Sequence, residues 1–314
     1  MYYPYFRGKQ FEMILLRENA EFLTEHNIHP IIEPVKSEFR TLSRTLKALC
    51  DNEVHYTIII NPQAGENPVK SSSILQNIEK DCEENYLNMG YILHADSKIS
   101  ELVSLLEKYS SVDFSILHYG FTNGKDLVKS ILPFKNIRNH IFIDGYAGKL
   151  YQRHFKIKGI NRILIRDGFK PQKKNSLYPR SEHFSDLHIT FPDEGMDGFG
   201  DFLMVGDDFS ESGGPAYAVA IHLTYLEDDN DMYIYHFISD QTDSPSNPGG
   251  KFKEALRKLV ITVNKSNSLV FKSEAVKEFL DLHSRQYYPG LGYLKKLSMQ
   301  HHIELIADFL KHNH

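Results

Sequence analysis

The chain has 314 residues and a formal net charge of -5, with 41% hydrophobic and 25% charged residues. Those fractions are ordinary for a globular protein, so a large core can form without metals or disulfide staples, and disorder is not indicated. A net negative chain has no global positive field to draw in phosphates, which argues against nucleic acid as a partner.

The elements follow in chain order. From residue 2 to about 205, short β-rich runs alternate with longer amphipathic runs, the pattern of βαβ units around a parallel sheet. Eight strands are predicted: Tyr2 to Phe6, His29 to Val35, Tyr56 to Ile60, Leu87 to His94, Asp113 to Tyr119, His140 to Asp144, Arg162 to Arg166 and Asp201 to Val205. Between them, Lys9 to Asn27, Ser37 to Asn52, Pro68 to Asn85, Ser97 to Tyr109 and Asn123 to Leu132 carry apolar residues at three- and four-residue spacing, as helices do. Tyr146 to Phe155 is shorter and less regular. The fold class expected is therefore α/β, a (β/α)8 TIM-like barrel over residues 1-210.

The stretch from Gly168 to Gly200, rich in proline and polar residues, is too long for a plain connection and reads as a functional loop or lid. Residues 211-314 then form a C-terminal β-hairpin and a helical extension, expected to sit on the barrel as part of one structural unit. The hairpin joins Ala216 to Tyr225 and Met232 to Ser239 across the acidic turn Glu227 to Asp231. Helices are expected at Lys251 to Val263, Ser273 to Ser284 and Leu294 to His312.

Met1 to Glu12 does not have the charged-then-apolar layout of a secretory signal. The longest apolar stretch, Ala216 to Leu223, falls far short of the roughly 20 residues of a membrane span. A cytoplasmic protein with no membrane partner is expected. Cys50 and Cys82, in no ligand-like spacing, read as thiols of a reducing compartment.

Barrel enzymes place their reacting groups where strands end and βα loops converge. Strand ends here supply Arg7 and Lys9, Glu33, Asn61, His94 and Asp96, His118, Asp144, Arg166 and Asp167, then Asp207 and Asp208. Such a mixed ring suits general acid-base work, or anion or metal binding. Glu33, Asp144 and Asp167 are the candidate catalytic carboxylates, with a divalent metal as a candidate cofactor. Arg7, Lys9, Asn61, His118 and Arg166 are the candidate substrate- or anion-binding side chains. Glu33 interrupts an apolar run, Ile31 to Val35, so it needs a partner or a raised pKa; Arg7 or Lys9 could supply the partner.

Other features have plainer readings. Gly213-Gly214-Pro215 reads as a hairpin-entry turn rather than a phosphate cradle. His302 falls on the apolar face of the last helix, with His301 and Glu304 on its flank, and His222 and His236 occupy near-equivalent hairpin positions.

The opening Tyr2 to Glu12 and the run Ile31-Ile32-Glu33-Pro34-Val35 resemble the beta-protein family, a little-characterised group of bacterial and phage-encoded proteins. The resemblance continues through Gly198 to Phe202, Gly213 to His222 and Lys295 to Ile303. It implies a barrel-like fold and a place in phage-defence or mobile-element islands, and it draws attention to Gln300-His301-His302. It implies no reaction.

Two function classes stand at this point. One is a barrel-mouth enzyme, hydrolytic or phosphate-directed, acting on a small-molecule or phosphate-containing ligand. The other is a non-catalytic sensor or scaffold subunit whose hairpin and C-terminal helices hold a protein partner encoded nearby. A third, nucleic-acid binding through Lys170 to Lys174, is disfavoured by net charge.

Overall fold

The structure, a computed structural model, describes residues 1–64, 69–81, 85–209 and 216–313. The turn Gly213-Gly214-Pro215 and Cys82 lie outside the described residues. The chain divides into two compact units, Met1–Arg166 with Thr190–Phe202, and Asp167–Ile189 with Leu203–His314.

The first unit is a (β/α) barrel. Its eight parallel strands are β1 (Tyr5–Phe6), β2 (Ile31–Ile32), β3 (Tyr56–Ile59), β4 (Leu87–Leu93), β5 (Asp113–His118), β6 (Ile137–Ile143) and β7 (Asn161–Ile165), then β9 (Gly198–Gly200), which follows β8 (Ser181–Ser185) of the second unit. The helices of this unit are α1 (Gln10–Glu18), α2 (Ala20–Glu25), α3 (Arg40–Asp51), α4 (Ser71–Asp81), α5 (Ile99–Lys108), α6 (Gly124–Ile131) and α7 (Lys149–Gln152). They form because apolar residues recur on one side, as Leu42, Leu46 and Leu49 do in α3, all buried.

The sheet closes on itself between its first and last strands. The Tyr3 amide donates to the Phe199 carbonyl at 2.8 Å and the Tyr5 amide to the Asp201 carbonyl at 2.9 Å. Tyr2 adds its hydroxyl to the Asp201 carboxylate at 3.0 Å. Closure leaves no exposed ladder edge. The last strand lies earlier than the expected Asp201 to Val205, because a sequence rule that discounts glycine inside strands misplaces it. A Cβ on Gly198 would meet the Tyr3 ring at 2.9 Å, and one on Gly200 would collide with the Tyr3 carbonyl, so both glycines serve the seam.

Strand alternation sorts side chains to two faces. Tyr5, Ile31, Ile59, Ile92, Leu117, Ile141, Ile163, Ile165 and Phe202 fill the barrel interior, while the residues between them face the helices. Parallel strands buried on both faces are apolar throughout, so composition alone does not separate the two sets.

The second unit has its own core. β8 pairs antiparallel with β11 (Met232–Ile238), which pairs with β10 (Ala220–Leu226), giving the order β10-β11-β8. A short α8 (Leu187–Thr190) follows β8, and α9 (Pro248–Val263), α10 (Glu274–Ser284) and α11 (Leu291–Asn313) complete the unit. Ile221, Leu223, Phe252, Leu256, Phe279 and Leu297 anchor one apolar cluster. Asn247 and Ser273 cap α9 and α10 by accepting from the Gly250 and Val276 amides. The segment read as a loop or lid thus contributes β8, a third strand beside the hairpin.

Several histidines are buried and neutral. Burial lowers His29, His188 and His301 to about 4, and His140 to about 3. Unfolded, each would protonate near its ordinary value of 6.5, so between that pH and about 4 the unfolded chain binds protons that the folded chain does not. Stability is therefore expected to be full above pH 6.5 and to fall as the pH drops toward 4. Each such histidine should steepen the slope by about 1.4 kcal/mol per pH unit. Urea unfolding at a series of pH values checks this, and a midpoint constant from pH 7 to 4 would oppose it.

Candidate functional site

Inward parity at the C-terminal ends of the strands builds one mouth. Two residues beyond Tyr5, Ile31, Ile59, Ile92 and Leu117 come Arg7, Glu33, Asn61, His94 and Tyr119. This is the group that the barrel brings to its open end.

Glu33 is fully buried and fully engaged. Its Oε2 accepts from the Tyr5 hydroxyl at 2.8 Å and from the Arg7 guanidinium, and its Oε1 accepts from the amides of Gln63 at 2.7 Å and Ala64 at 2.9 Å. Arg7, also buried, lies over the rings of Tyr5 and Phe202 at 5.0 and 5.3 Å. The expected partnership of Arg7 with Glu33 is present, and it commits the guanidinium to the carboxylate. Lys9 occupies the N-cap position of α1, and its amide, with that of Arg7, bonds the buried Glu12 carboxylate. Burial raises the Glu12 pKa against those bonds and the nearby Lys9 and Arg7 charges. Asn61 extends the sheet: its amide donates to the Ile92 carbonyl at 2.9 Å and its Oδ1 accepts from the Ile92 amide at 2.8 Å.

The remaining candidates are placed elsewhere. His118 has the outward parity of Ile116, and its ring lies 4.7 Å from that of Phe142 and 4.4 Å from that of Phe155. Its Nδ1 meets the Tyr151 hydroxyl at 2.7 Å and its Nε2 meets His140 at 3.0 Å. Burial holds its pKa well below the ordinary value. Asp144 pairs with Arg166 at 2.6 Å, and Arg166 also donates to Glu194 at 2.5 Å. Glu33 and Asp144 thus engage different cations. Asp167 belongs to the second unit, where its oxygens accept from the amides of Phe169 at 3.0 Å and Asp207 at 2.8 Å. Among the described residues no three His, Cys, Asp or Glu side chains converge as metal ligands.

His94 is the mouth residue with uncommitted chemistry. Its Nε2 is buried without a hydrogen-bond partner among the described residues, and the nearby Tyr119 main chain favours protonation of the ring. A neutral imidazole that keeps its proton on Nδ1 has a lone pair on Nε2. Burial lowers its pKa, against the opposing pull of Asp96 and Glu33, so the ring is neutral near pH 7. Tyr119 lies 5.1 Å from the His94 ring and stacks on Tyr146 at 4.2 Å, forming an aromatic platform. His94 also lines a cavity of about 690 Å³, with Asn61, Gln63, Asp96, Lys98 and Glu101 together with Ser71, Ser97, Ser100 and Ser104.

His94 was visible as a strand end, but strand ends alone did not rank it. Counting alternate residues from Gly90 through Ile92 to His94 is the signal that selects it, and the same count moves His118 outside.

The histidines of the second unit are held by bonds of their own. His222 and His236 face each other across the hairpin, Nδ1 to Nδ1 at 2.7 Å, and His236 Nε2 bonds Glu182 at 3.1 Å. His301 bonds the Ser273 hydroxyl and the Thr224 carbonyl at 2.7 and 2.8 Å, and His302 bonds the Thr224 hydroxyl at 3.0 Å; both rings are fully buried.

No family model matches the chain, and no curated protein does. Solved structures with a similar course of chain include N-acetylneuraminate lyase from Mycoplasma synoviae in two crystal forms. Form I is 12% identical with a TM-score of 0.39, covering 64% of this chain and 66% of that one, just under two thirds of its length. Form II is 11% identical with a TM-score of 0.42, covering 98% and 96%. A D-psicose 3-epimerase solved in the presence of D-fructose is 11% identical with a TM-score of 0.35, covering 68% and 86%. The barrel assignment itself rests on the strand order and the closed seam of this chain.

The buried pair predicts a double-mutant outcome. Glu33→Gln or Arg7→Met alone should each cost about 3 kcal/mol, because each leaves a buried group without its partner, whereas Arg7→Met combined with Glu33→Gln should cost well below the sum of the two. Denaturant unfolding of the four proteins measures it. Simple addition of the two single effects would contradict the pairing.

Proposed function

We propose that the chain is a barrel-mouth enzyme of hydrolytic type, with His94 as its general base and an uncharged, hydroxyl-bearing substrate held in the adjoining cavity. The observation that carries this reading is the buried, unpartnered Nε2 of a neutral histidine at the mouth. In the proposed step Nε2 takes a proton from water, the water oxygen attacks the substrate's electrophilic centre, and the imidazolium returns the proton to the leaving group. Glu33 lies close enough for its charge to favour that imidazolium, and the Tyr119–Tyr146 platform offers a flat apolar surface for a substrate ring.

The charges argue for an uncharged substrate over a phosphate. Arg7 is neutralised by Glu33, and the cavity wall carries Asp96 and Glu101 against Lys98. Arg7, Lys9, Glu33 and Asn61 act in this reading as supports of the mouth. A role in defence against phage is part of the proposal, resting on the resemblance to the beta-protein family alone.

His94→Gln should lower kcat/KM at least about 100-fold while leaving thermal unfolding unchanged. A panel of chromogenic ester, amide and glycoside substrates, together with phage plaquing on expressing cells, provides the readouts. Undiminished turnover and protection in His94→Gln would remove the enzyme reading. If substitutions at Tyr225 to Tyr233 then abolished protection, the partner-binding subunit would take its place.

A further inference from the structure

The barrel has a polar interior at its other end as well. Inward-facing positions in the first turn of the strands carry Thr57, Asn88, Ser115, Asn139 and Asn161, where closely packed barrels place branched apolar side chains. They are chained by hydrogen bonds. The Asn161 amide donates to Asn139 Oδ1 at 3.1 Å, the Asn139 amide donates to the Ser115 hydroxyl at 2.8 Å, and that hydroxyl lies 3.5 Å from Thr57. Asn88 stands out, because its Oδ1 is buried and has no partner among the described residues. Leaving such an acceptor unpaired costs about 1 to 3 kcal/mol, a penalty that a bound donor would remove.

Thr57, Asn88, Asn139 and Asn161 border a cavity of about 190 Å³, with Ser115 behind them. A volume near 150 Å³ accommodates a six-membered ring, so this one holds such a ring or about six waters. Its rim is a run of rings: Tyr3 to His29 at 5.3 Å, His29 to His55 at 5.4 Å, and His55 to Tyr86 at 5.4 Å. The charged rim side chains Asp113 and Arg138 neutralise each other at 2.8 Å, and the Met1 ammonium, its pKa lowered by burial, is opposed by the Asp197 carboxylate. An ionic ligand would find no uncompensated charge between them. A ring that brings hydroxyls, each both donor and acceptor, matches carboxamides and a threonine inside with aromatic faces at the edge.

We propose that the N-terminal mouth of the barrel is a second binding site, for an uncharged cyclic polyol of monosaccharide size, with Asn88 Oδ1 accepting one of its hydroxyls. This site is independent of the chemistry assigned to His94. Its walls come from the N-terminal ends of the strands, opposite the C-terminal mouth.

Isothermal titration and saturation-transfer NMR with D-glucose, D-galactose, D-mannose and myo-inositol as probes test it. At least one probe should bind the wild-type chain. Asn88→Ala and Asn161→Ala should each weaken that probe about tenfold, whereas His94→Gln should not. If Asn161→Ala fails to fold because it breaks the amide chain, Asn88→Ala still tests the site, since Asn88 Oδ1 bonds nothing among the described residues. The proposal is overturned if none of the four probes binds, if binding is unchanged in Asn88→Ala, or if it disappears in His94→Gln. Capture of adenine or uracil in place of every polyol overturns it too.

Discussion

Tyr3 and Tyr5 donate their amides to Phe199 and Asp201, and those two hydrogen bonds turn a row of strands into a barrel. Closure removes the sheet edges and fixes which side of each strand faces in. A slip of one residue in any strand would exchange its inner and outer side chains. The close approach of Gly198 and Gly200 to Tyr3 holds the last strand in register. From that register follow the apolar middle layer, the polar mouth at one end and the carboxamide layer at the other.

The mouth shows how burial decides which groups keep chemical freedom. Glu33 and Arg7 carry full charges, yet each is bound by the other, and Glu33 also holds Tyr5 and two amides. A carboxylate so satisfied organises the loops of β1, β2 and β3; as a base it has no lone pair to spare. His94 is the opposite case. Its Nε2 is buried and unpartnered among the described residues, and burial lowers the ring's pKa against the pull of nearby carboxylates. That balance suits a base near neutral pH.

Much of the fold was legible because βα alternation is a long-range pattern that survives local ambiguity. Seven of the eight barrel strands fall within a few residues of their expected positions. The eighth does not, because Gly198 and Gly200 look like strand breakers until Tyr3 is seen against them. The segment before it looked like a loop because Ser181–Ser185 is polar, as an outer strand beside β11 can be. The site was less legible. Arg7 with Glu33 could be inferred from a charge inside an apolar run. His118, Asp144 and Asp167 could not be sorted from His94, because strands buried on both faces hide inner from outer, and because Asp144 and Arg166 neutralise each other through side chains 22 residues apart.

The protonation state of His94 tests the central claim most directly. Nitrogen-15 NMR of the imidazoles, with His94→Gln to assign the resonances, reads tautomer and titration together. A neutral ring at pH 7, protonated at Nδ1 with its lone pair on Nε2 and titrating below 6.5, is the predicted result. A ring charged at pH 7, or one protonated at Nε2, would contradict the account, since neither offers a base to the barrel mouth.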